Sequence, residues 1–188
     1  MRMISLAVAV LGSLALAGPA ALIEGGVPAI PQEIPKPGPQ QAIFQNDIGT
    51  WAATMKAFNA LTGAEIVSKG TETNKYGPGR MTLITGFRGR FMGKPFIGHG
   101  VLGYDDDGRL VASWTDNRSG KLRFFKGEVG ADKKKRVLLG ESKHAGETYK
   151  ERHTVYWESR TKRRFTIETQ GNDGKWLVAL EITYTKRR

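Results

Sequence analysis

At 188 residues the chain is long enough to bury a real core, and its lack of cysteine excludes disulfides, thiol catalysis and lipid attachment at a processed N-terminal cysteine. Lysine and arginine number 29 against 18 acids, a formal charge of +11. That balance turns attention to polyanionic partners. At the N-terminus, residues 1–17 read as a secretory signal peptide: Arg2, an apolar run from Ile4 to Leu16, and the small-x-small site Ala15-Leu16-Ala17. The run is short for a membrane span, so the expected mature chain begins near Gly18 and is exported, periplasmic or extracellular. For such a chain the polyanions are anionic lipid or an envelope polymer, and nucleic acid is not expected. Five prolines between Gly25 and Gln41 then mark a semi-extended linker, residues 18–42. The folded domain is expected over 43–188.

Beyond the linker the hydrophobic pattern has period two, broken every eight to twelve residues by turn chemistry. Residues 49–58 place Trp51, Ala53, Met55 and Ala57 on one face. A second run passes through Glu65-Ile66-Val67, and a third, 80–87, carries Met81 and Leu83. Residues 97–104 form an apolar strand thinned by Gly98, Gly100 and Gly103, joined through a two-residue turn at Asp107-Gly108 to the strand of Leu110, Ala112 and Trp114. In 121–129, Leu122 and Phe124 alternate and the phase shifts at Phe125, as at a bulge. After a short strand at 136–141, residues 149–158 put Tyr149, Glu151, His153, Val155 and Trp157 on one face. Phe165 and Ile167 mark the next strand, and Trp176, Val178, Leu180, Ile182 and Tyr184 share a side of the last. The fold class is all-β: an antiparallel meander closed into a barrel of about eight to ten strands, with a two-sheet sandwich as the alternative.

Motifs for chemistry are few. Gly98-His99-Gly100-Val101-Leu102-Gly103 spells a dinucleotide fingerprint, but a strand follows where a helix is needed, so no cofactor is expected. Asp105-Asp106-Asp107-Gly108 lacks the alternate spacing of a calcium loop and reads as a turn. His99, His144 and His153 lack zinc spacing, so no metal is expected, and there is no nucleophile elbow. The basic runs 133–136, 160–164 and 186–188 read as solvated turns and a chain end. Glu151 and His153 are the informative pair. If their face lines a barrel, a buried carboxylate needs a partner, and Arg80 is a candidate. The ligand-binding candidates are therefore Arg80, Trp114, Glu151, His153 and Trp157.

The chain has Gly49-Thr50-Trp51, Gly79-Arg80, the long run Gly93-Lys94-Pro95-Phe96-Ile97-Gly98-His99-Gly100-Val101-Leu102-Gly103-Tyr104-Asp105, then Trp114-Thr115-Asp116 and Glu181-Ile182-Thr183-Tyr184-Thr185. This order resembles an exported bacterial family, domain of unknown function 1579. Gly98, Gly100, Gly103, Tyr104, Asp105, Trp114 and Asp116 are the motif positions. The resemblance covers residues 45–187 and implies a lipocalin-like barrel without an assigned activity. Ile97 stands where the family usually has an acid, 85–88 replace an acidic run, and Lys186 stands for arginine. The leading functional expectation is a non-enzymatic barrel holding a small apolar or amphipathic molecule. A basic envelope protein that binds anionic lipid or polymer comes second, and a hydrolase last.

Overall fold

The computed structural model describes residues 36–58, 62–144 and 146–188. The expected signal peptide, residues 1–17, and most of the expected linker lie outside the described residues. Pro35–Arg188 form one compact unit. It contains ten strands: β1 Gly49–Phe58, β2 Glu65–Tyr76, β3 Leu83–Phe91, β4 Lys94–Tyr104, β5 Leu110–Asp116, β6 Arg123–Val129, β7 Lys135–His144, β8 Glu147–Ser159, β9 Lys162–Gln170 and β10 Trp176–Lys186. Each pairs antiparallel with its neighbour in sequence, and β1 pairs with β10, from Trp51 opposite Lys186 to Ala57 opposite Leu180. The barrel is closed, so every strand has a partner on both sides along most of its length and no whole strand is left as a template for aggregation among the described residues.

A 3-10 helix, Pro39–Asn46, begins upstream of the expected start of the fold and packs into one end of the barrel. Pro39 suits its first turn because the missing N–H has no helical acceptor there. Phe44 is fully buried against Leu83, Leu102, Leu110, Phe125 and Leu138. A second cluster, Trp51, Ala53, Met55, Phe87, Ile182 and Tyr184, holds the β1–β10 seam. The strands therefore contribute alternate residues to the interior, as their period demands.

Three local expectations are corrected. The β4–β5 connection is not a two-residue turn: Asp105 N–H donates to the Arg109 carbonyl and Gly108 N–H to the Asp105 carbonyl, with Gly108 at φ +73°. A type I′ turn needs positive φ at both central residues, and Asp107 does not supply it. Strand β6 has no bulge. It starts at Arg123, so Arg123 and Phe125 point inward in register while Leu122 and Phe124 face solvent, 59% and 66% exposed. Register shifts lie elsewhere: one in β8 between Trp157 and Ser159, and one in β10, where Val178 pairs with Glu168 and Leu180 with Ile167, leaving Ala179 unpaired. That extra residue inverts the strand upstream, so Trp176 stacks outside on the Arg152 guanidinium at 4.4 Å rather than joining Ile182 within.

Candidate functional site

The helix ends at Asp47, which lies fully buried at the closed end of the barrel. Its carbonyl accepts from Trp51 Nε1 of β1 at 2.8 Å and Asn74 Nδ2 of β2 at 3.1 Å. Its carboxylate accepts from Arg136 of β7 at 2.8 Å, Trp157 Nε1 of β8 at 3.1 Å, and Arg163 of β9. Burial by itself raises a carboxyl pKa, but the charges of Arg136 and Arg163 and the hydrogen bonds hold that of Asp47 below its ordinary value. Arg163 also pairs with Glu72 and lies over the rings of Trp51 and Tyr184, 4.5 and 4.4 Å from their centroids. Burial favours loss of its proton, yet Glu72 and Asp47 raise its pKa above the usual guanidinium range. Two cations and two carboxylates thus neutralise one another under the cavity.

Above this floor the barrel is hollow. A cavity runs between the walls and opens to the surface past Leu122 and Phe124, about 1290 Å³ with its mouth included, a volume ample for a small-molecule ligand. Met55, Phe87, Trp114, Phe125, Val155 and Ile182 are among the apolar residues facing it, with Arg136, Arg163 and Tyr184 at its base. Gly98 and Gly100 of β4 make room for the Trp114 ring: a Cβ on Gly98 would fall 2.2 Å from the indole and one on Gly100 3.0 Å from it. A Cβ on Gly103 would meet only the Thr82 side chain, at 3.1 Å. Tyr104 donates to the Gln40 carbonyl at 3.1 Å, tying β4 to the helix, and Asp105 closes its turn by accepting from Arg109 N–H at 2.9 Å.

A polar chain crosses the cavity wall nearer its open end. Trp114 Nε1 donates to Asp116 at 3.1 Å, Arg123 reaches both Asp116 and Glu151 at 3.5 Å, and His153 Nε2 lies 3.2 Å from Glu151. Burial raises the Glu151 pKa, but hydrogen bonds from His153 and Ser142, with Arg123 nearby, leave it below the ordinary value. His153 is enclosed between Phe125, 4.1 Å away, and the edge of Phe165 at 5.5 Å. Burial pushes its pKa down, against the pull of Glu151, so the imidazole is neutral at neutral pH and Nε2 carries the donated proton.

The candidates from sequence separate accordingly. Trp114 and His153 line the cavity, and Glu151 stands beside His153, bound to it. Trp157 is buried in the Asp47 network rather than on the cavity. Arg80 is exposed and stacked on Tyr76 at 4.4 Å, and the partner of Glu151 is Arg123. Asp116 caps the turn after β5, accepting from the N–H groups of Arg118 and Ser119 at 3.0 Å. Sequence reasoning missed Asp47, Arg123, Arg136 and Arg163. Alternation could have found three of them, since Arg123 is in phase with Phe125, Arg136 with Leu138, and Arg163 with Phe165. Among the described residues no group of three or more His, Asp or Glu could hold a metal ion.

A closed meander barrel around a large apolar cavity, plugged at one end by a short helix and a charged floor, defines a lipocalin-like barrel protein. The sequence profile described as "Protein of unknown function (DUF1579)" matches residues 36–186, and the chain belongs to that family. No curated protein matches it. Among solved structures it is similar to Rv2717c from M. tuberculosis, with TM-score 0.56 and 11% identity over 80% of this chain and 99% of that one. It is also similar to the S-type phycobiliprotein lyase CPES from Guillardia theta, with TM-score 0.51 and 11% identity over 79% and 92% of the two chains. At such identities the likeness is one of fold.

Proposed function

We propose that this protein is an exported, non-enzymatic barrel that binds a small apolar or amphipathic molecule. The cavity carries the reading: about 1290 Å³ of space, walled by aromatic and aliphatic side chains, whose polar groups bond mainly to one another. Burying an alkyl chain there contributes about 0.8 kcal/mol per methylene group. Glu151 and His153 hold the wall in shape and offer the ligand an edge of polarity.

The test uses Trp114, the tryptophan on the cavity. Titrating the whole protein with dodecanol is expected to change tryptophan emission saturably, and Trp114→Phe is expected to remove most of that change. His153→Ala is expected to weaken binding several-fold while the far-ultraviolet circular dichroism stays that of a barrel. Absence of a saturable signal, confirmed by calorimetry, would overturn the reading.

A further inference from the structure

The ladder between β6 and β7 stops early. It ends at Phe125 opposite Gly140, whereas β7 stays paired with β8 as far as His144 opposite Glu147. Backbone of β7 past Gly140 therefore has no β6 neighbour, and the wall of the barrel carries a notch. The cavity reaches the surface there: Lys121, Leu122 and Phe124 line it on one side, Ser142 and Lys143 on the other. Leu122 and Phe124 are among the exposed large apolar side chains, 59% and 66% open to solvent. Apolar side chains exposed at the mouth of an apolar cavity form a continuous path for a hydrocarbon chain.

Charge is distributed unevenly along that path. Lys121 and Lys143 make no ion pair with an acid among the described residues, and Glu141 is the one carboxylate lining this opening. Deeper in, Arg123 faces two carboxylates, Asp116 and Glu151, beside a neutral His153, so that layer holds an excess of negative charge. The floor is balanced, with Arg136 and Arg163 against Asp47 and Glu72. An anion is thus favoured at the notch and disfavoured at the polar layer within.

We propose that the barrel takes a single-chain amphiphile with an anionic head, tail first through the β6–β7 notch, and holds the head outside against Lys121 and Lys143. This rests on the reading of the barrel as a ligand carrier and adds the ligand's charge, orientation and route. A carboxylate and a phosphate monoester head share the required chemistry.

The experiment compares dodecanoate, dodecyl phosphate and dodecanol on the full chain and on the double variant Lys121→Glu, Lys143→Glu, which alters two exposed positions and is expected to keep the parent's far-ultraviolet circular dichroism. The parent is expected to bind at least one anion about tenfold tighter than dodecanol, a difference of about 1.4 kcal/mol, because exposed ion pairs at the head add modestly to the shared tail contacts. Preference for one anion over the other names the head. The double variant is expected to lose this preference, with its dodecanol affinity within about twofold of the parent, and added salt is expected to act the same way. Equal binding of the alcohol and the anions by the parent, or an anion preference that survives in the double variant, overturns the head-out assignment while the carrier reading stands. Failure of all three probes to bind overturns both.

Discussion

Asp47 and Arg163, 116 positions apart in sequence, meet as an ion pair at the closed end of the barrel, where their side chains are 0% and 4% exposed. The pair joins the plug helix to the penultimate strand. Removing one member strands the other without water. Asp47→Asn leaves Arg136 with no ionised partner and Arg163 with only Glu72. The expected loss in unfolding free energy is about 3–5 kcal/mol, read from urea melts. A loss under about 1 kcal/mol would show that Trp157 and Trp51 alone can hold the helix.

Neighbours in one basic run are expected to behave oppositely. Lys133 and Lys134 are exposed, whereas Arg136 is 8% exposed and bonded to Asp47. Converting both lysines to glutamine is expected to change stability by no more than about 0.5 kcal/mol while weakening any adsorption to anionic vesicles at low salt. Arg136→Gln is expected to destabilise by several kcal/mol, because Asp47 keeps a buried charge with one partner fewer. Thermal melts of the two variants decide the matter.

The glycines of β4 give a graded series. At Gly98 a Cβ would overlap the Trp114 ring, so Gly98→Val must expel the indole or displace the strand, at about 2 kcal/mol or more. Gly103→Ala presses only on Thr82 and is expected to be milder. Urea melts rank the two, and a shift in tryptophan emission confined to the Gly98 variant identifies the moved ring.

His153 sets the upper edge of the acid limb. Burial, opposed by Glu151 and assisted by Arg123, depresses its folded pKa below the ordinary imidazole value of about 6.5. The unfolded state therefore binds the proton first as pH falls. The neutral imidazole's contribution is fully present above about pH 6.5 and is lost as pH drops toward the folded pKa, with a slope of at most about 1.4 kcal/mol per unit. Stability is expected to decline below pH 6.5 in the parent and to stay level there in His153→Gln. Asp47, Asp116 and Glu151, whose folded pKa values are also lowered, add their losses further into the acid range.

Much of the barrel was legible because strand alternation is local. The inward face of β8 could be read from Glu151, His153, Val155 and Trp157 alone. The charged floor could not, because its members come from the helix end and from β2, β7 and β9, and only closure of the barrel brings them together. Composition also misled: Arg136 and Arg163 sit within basic runs that look solvated, and their phase with Leu138 and Phe165 was the overlooked signal. The β10 inversion turns on one residue, Ala179, whose small side chain fits either face. Arg80 failed as a partner for Glu151 because it lies in a turn before β3 begins, where strand alternation says nothing.

The β1–β10 seam and the Asp47 lock both tie the beginning of the domain to its end. A chain growing from the ribosome can form hairpins from β2 onward, yet β1 has no second neighbour until β10 has been made. Asp47 likewise meets Arg163 only after β9 is synthesised. Such long-range closure slows folding, since loop entropy is lost before the contacts form. The nascent domain is therefore an open, curling sheet for nearly all of its synthesis, and a chaperone that covers β1 during that interval would protect the edge that closes last.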